Sequence, residues 1–298
     1  VKKLLESYLS AKDDASKYEF EYFLSVLKQK QNESAFIESI LVQLKRNIPL
    51  LDPKYFESNL INVLFFDIKW SIHYSINENV LKLFYEFLID LNSAYTNYVA
   101  KCLTMIIKFF QVVQSNNESV NKVDEILKIN CNNLYKLSHN LIIQICKIAP
   151  TSKVTLVKQL YQYFPYMIKD TVIQEAYTKN LLEIADNFSD LRVKILEICI
   201  QKMLKIDVNC RREQIIEYEL LNQNEGEKMN TDENNNDQKS NEQSGMKHQF
   251  ADRLDTMMLA LFNYIERNCY SNNVLKWDIA KSIYKDLLFI FDKYILVT

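Results

Sequence analysis

Three histidines, six cysteines and two hydroxyls behind a proline are the residues with which this sequence could do chemistry. The histidines are His73, His139 and His248. A general base or a metal ligand needs partners held in a fixed geometry. No HExxH, Cys–His or Ser–His–Asp arrangement frames any of the three, so neither catalysis nor a metal or cofactor is expected. The cysteines are Cys102, Cys131, Cys146, Cys199, Cys210 and Cys269, none closely paired. Their expected state is reduced thiols packed in the helices of an intracellular protein, with disulfides or a metal as the alternative. Carboxylates recur at helical spacing, as on solvated faces.

What remains is the chemistry of recognition. Thr151 and Ser152 follow Pro150, with Lys153 and Lys158 close behind. In one reading the hydroxyls cap a helix; in the other they form a phosphorylation-sensitive edge of a docking surface. Lys205 with Arg211 and Arg212 is the tightest basic cluster, either a solvated helix end or a partner-binding patch. The 18 tyrosines and 16 phenylalanines could stack on bases. They fall on the same helical stripes as Leu and Ile, so core packing is the expectation.

The elements that must position these residues are helices. Among 298 residues there are 2 glycines and 4 prolines, and both glycines, Gly226 and Gly245, lie in one polar stretch. Tight β-turns and phosphate-binding loops need glycine at positive φ or where the backbone must approach a ligand closely. The composition therefore argues for an all-α fold without sheet and against nucleotide-dependent enzymes. The net charge of −2 lacks the basic excess of a domain that wraps nucleic acid, and no direct sequence-specific DNA binding is expected. No window of about 18 apolar residues occurs, so no membrane-spanning helix is expected.

The clearest pattern runs from Phe164 to Glu213. Ile173, Ala176, Tyr177, Leu181, Ile184 and Phe188 paint one helix face. Ser189 or Asp190 can cap a second helix, whose stripe is Leu191, Ile195, Ile198, Cys199, Met203 and Ile206. Lys202 and Lys205 sit in its last turn, where the helix dipole favours cations. So short a connection makes the helices antiparallel, in a hairpin of about 40 residues, the size of a HEAT-type repeat.

Similar stripes precede it, such as Tyr18, Tyr22, Leu24, Val26 and Leu27, or Phe36, Ile37, Ile40, Leu41 and Leu44. Asp52 can cap a helix starting at Pro53. Ala149-Pro150 ends a long helix, and Val154, Val157, Leu160 and Tyr161 mark the next. Trp70 to Asn77 reads as a connection. Asn222 to Gln249 is too polar to offset the entropy of ordering it and reads as a disordered, Asn-rich insertion. The expected architecture is a HEAT-like helical-repeat solenoid of antiparallel helix pairs, one domain over 1–298 with a single insertion at 222–249.

Three blocks of that hairpin, FPYMIKD, AYTKNLLEIADNFSDLR and ILEICIQKMLKIDVN, resemble the signature region of the growth-regulated, TIF-IA-type family of RNA polymerase I-specific transcription initiation factors. Members of that family continue, after a variable insertion, with helices like ADRLDTMMLALFNYI, Ala251 to Ile265 here, and YKDLLFIFDKYIL, Tyr284 to Leu296. The resemblance covers about residues 50 to 298. It implies a non-enzymatic factor of the nucleus and nucleolus that binds RNA polymerase I and bridges it to promoter-bound core initiation factors at ribosomal RNA genes. It also implies phosphorylation control, reaching Thr151 and Ser152 only as a hydroxyl pair after proline. Ser115 and Ser119 lie where many relatives carry an acidic, serine-rich insertion. The chain, which begins at Val1, is expected to be part of a longer protein. A homodimer stays open, and the alternative function is a generic HEAT-type scaffold, for example in nuclear transport.

Ile195 and Ile198 are expected to be almost fully buried. Truncating either to Ala should cost about 2–5 kcal/mol. A thermal melt left unchanged by Ile195→Ala would exclude this helix register.

Overall fold

Helix boundaries fall where caps and prolines put them. Asp52 accepts a hydrogen bond from the Lys54 backbone N–H at 2.8 Å, ahead of Pro53 in the first turn of its helix. The long helix before Ala149-Pro150 stops at Ile148. A computed structural model describes residues 1–10, 14–70, 78–112, 122–210 and 249–296. In chain order the helices are α1 (Lys2–Ser10), α2 (Asp14–Gln29), α3 (Ser34–Arg46), α4 (Pro53–Phe56), α5 (Leu60–Asn62), α6 (Glu78–Ala94), α7 (Val99–Phe109), α8 (Lys122–Ile148), α9 (Ser152–Gln162), α10 (Thr171–Asn187), α11 (Arg192–Val208), α12 (Gln249–Cys269) and α13 (Trp277–Tyr294). No helix of the described residues is long and apolar enough to cross a membrane. His73, His248, Ser115, Ser119, Arg211 and Arg212 lie outside the described residues, as does the expected insertion apart from Gln249, which opens α12.

The chain divides into two compact units, Val1–Tyr163 and Phe164–Thr298. In the first, α3 packs on α6 and α7 on α9. Four polar ties fall at similar intervals. Lys45 reaches Glu86 at 2.7 Å, 41 residues on, and Lys101 donates to the Glu57 carbonyl at 2.8 Å across 44. Tyr95 and Tyr98 donate to the carbonyls of Pro49 and Leu51, 46 and 47 residues back. That is the spacing of a HEAT-type repeat, about 40–47 residues. Below α5 the backbone forms a π turn over Val63–Asp67, and the Ile68 N–H skips to the Val63 carbonyl. This leaves the Leu64 carbonyl without its helical donor, and the Trp70 indole N–H supplies one at 2.7 Å. Trp70, expected in a connection, is buried and stacked on Phe84 at 3.6 Å.

In the second unit α10 packs on α12 and α11 on α13. The Thr171 hydroxyl donates to Asp252 at 2.7 Å, and Asp186 accepts from Arg267; both pairs are 81 residues apart. The starts of α10 and α12 therefore lie together, and so do their ends. Arg192 donates from Nε to Asp286 at 2.6 Å and from Nη2 to the Ser282 hydroxyl at 2.5 Å, while Lys293 reaches Glu197 at 2.8 Å. One helix pair thus lies on the next in parallel register. The 81-residue interval of the two α10–α12 ties becomes about 43 once residues 211–248 are set aside, which matches the ties of the first unit.

Ile195 and Ile198 are buried, as are the other residues of their stripe. Four expectations need correcting. Tyr18 and Tyr22 point outward, and α2 buries Phe20 and Leu27 instead. Val154 and Tyr161 are exposed, because α9 buries the face that runs through Leu156 and Leu160. A 3-10 turn over Ser189–Leu191 precedes α11, so Leu191, not Ser189 or Asp190, is its N-cap. Finally, a two-stranded ribbon pairs Tyr270–Ser271 with Val274–Leu275, where no strand was expected. Its turn residues Asn272 and Asn273 have φ of 49° and 62°. Asparagine tolerates the left-handed region better than other side chains, so a hairpin turn forms without glycine.

Cys102, Cys146, Cys199 and Cys269 are buried, and burial pushes the thiols of Cys102 and Cys199 up to about 12. Iodoacetamide at pH 8 should spare these four until the protein unfolds and react first at Cys131 and Cys210, which are partly exposed. The folded chain keeps the two thiol protons where the unfolded chain, at an ordinary value near 9, loses them. Stability should therefore be unaffected below about pH 9 and fall as pH rises toward 12, as denaturant titrations at stepped pH would read.

Candidate interaction surface

The turn between α8 and α9 is built by backbone bonds. The Ser152 N–H donates to the Ala149 carbonyl at 2.9 Å, and the N–H groups of Lys153 and Val154 to the carbonyls of Pro150 and Thr151 at 3.3 Å. Thr151 occupies the N-cap position of α9 but makes no side-chain capping bond, and its side chain is exposed. Ser152 is not a surface residue. It is 5% exposed, and its hydroxyl donates to the buried Cys146 sulfur at 3.6 Å. The hydroxyl pair is split, one group facing solvent and the other facing the core.

Two glutamines fix which way α9 faces. Gln159 is buried and donates to the Ala100 carbonyl at 2.8 Å. Gln111 donates to the Tyr163 carbonyl at 2.8 Å, satisfying a carbonyl that the end of α9 leaves over. With Ser152, Leu156, Gln159 and Leu160 inward, the outer face presents Thr151, Val154, Lys158 and Tyr161, at spacings of three and four. Lys153 is half-buried beside them. Val154, 73% exposed, and Tyr161, 38% exposed, give this face an apolar component that sequence reasoning placed in the core. The signal was available in the competing spacing of Ser152, Leu156 and Gln159, where polar residues on the inner face hid it.

His139 is a core residue, stacked on Phe110 at 5.1 Å. Among the described residues no three His, Cys, Asp or Glu side chains gather as metal ligands would. Lys205 belongs to the second unit, exposed in the last turn of α11. One turn before it, Lys202 lies over the Phe164 ring at 5.4 Å. Burial, then the charge of Lys205, holds Lys202 below the usual lysine range.

A profile of the family described as "RNA polymerase I specific transcription initiation factor RRN3" matches residues 1–298, including the first fifty. The chain is 30% identical over 241 residues to an RNA polymerase I-specific transcription initiation factor RRN3 of Mus musculus, covering 74% of this chain and 36% of that one. It is 22% identical over 177 residues to the Schizosaccharomyces pombe factor of the same description, covering 59% of this chain and 26% of that one. The chain thus spans about a third of these curated relatives or less. A crystal structure of the RNA polymerase I transcription initiation factor Rrn3 shares the fold, with a TM-score of 0.65 at 16% identity over 99% of this chain and 51% of that one.

The split hydroxyl pair separates two substitutions. Ser152→Asp forces a carboxylate into the core and should lower the melting temperature, by about 1–3 kcal/mol or more in stability. Thr151→Asp places the same charge at an exposed helix N-terminus and should leave the melt unchanged or raise it slightly. Equal melts for the two variants would contradict this placement.

Proposed function

This chain belongs to the family of RNA polymerase I-specific transcription initiation factors of the RRN3 type, and on that premise we propose that it binds RNA polymerase I and recruits the enzyme to ribosomal RNA gene promoters through promoter-bound core initiation factors. Its place of action is then the nucleus, and within it the nucleolus. The role is that of a non-catalytic bridge. The observation that carries the reading is the family match over all 298 residues. The helical-repeat fold supports it, since stacked helix pairs offer long surfaces to protein partners.

For the contact itself we favour the outer face of α9, with Thr151, Val154, Lys158 and Tyr161 and with Lys153 beside them. A cationic, partly apolar face suits an acidic partner surface. A phosphate on Thr151 would add about −1.5 to −2 charges there and offset the lysines. Thr151 replaces Ser152 as the residue to modify, because a kinase cannot reach a buried hydroxyl without unfolding the turn.

Pull-down of purified RNA polymerase I by this chain, with a thermal melt of each variant, tests the reading. Thr151→Glu and Lys158→Glu should weaken capture while leaving the melt in place, and Thr151→Ala should preserve both. If both acidic variants bind as well as the parent, this face is not the contact. If the parent itself fails to bind, polymerase recruitment by this part of the protein is excluded and a generic scaffold role gains.

A further inference from the structure

We draw no further inference here: the strongest candidate, the outer face of the α12–α13 helix pair with Phe262, Trp277, Tyr284, Leu288 and Phe291 turned to solvent, is an unpartnered apolar face, and nothing in the structure shows what covers it.

Discussion

Helix pair lies on helix pair in the second unit through a buried apolar seam pinned at both ends by polar ties. The seam is Tyr177, Leu181 and Ile184 of α10, Ile195 and Ile198 of α11, and Met257, Leu261 and Tyr264 of α12. Each fully buried large side chain contributes about 1.5–3 kcal/mol. An ion pair as exposed as Arg267 with Asp186 contributes at most about 1 kcal/mol. The seam therefore supplies the stability and the pins supply the register. An apolar stripe can slide by a helical turn at modest cost, whereas Asp186 can meet Arg267 and Asn268 in one alignment only. Arg192, 18% exposed and shared between Asp286 and Ser282, does the same for α11 and α13.

Much of this was legible in the sequence. The scarcity of glycine pointed to helices, and the stripe from Leu191 to Ile206 is buried at all six positions named. Reading failed where the rule it rested on had a second solution. Asparagine stood in for glycine at Asn272-Asn273, so composition alone missed the ribbon. In α9 the inner face carries Ser152 and Gln159, and the apolar Val154 and Tyr161 drew the helical wheel the wrong way round. The in-register ties between residues 81 positions apart have no local signature at all.

That misreading of α9 bears on control. A hydroxyl beside a cysteine sulfur in the core and one on the surface differ by a single residue, yet charge on the first strains the fold and charge on the second alters only the face. Sequence neighbours at a helix start can thus answer to different selection, one for packing and one for recognition. The separation needs no special geometry. It follows from the roughly 100° between successive residues of a helix.

The placement of residues 211–248 between α11 and α12 has a consequence for how such a chain can change over time. Thr171, Asp186, Arg192 and Glu197 tie α12 and α13 to the preceding helix pair by contacts among the described residues. These ties give the stacked helices a register that does not depend on how many residues separate α11 from α12 in sequence. Length variation between relatives should collect at this joint and be purged from the four-residue connection between α10 and α11, where one added residue would turn a buried face toward water.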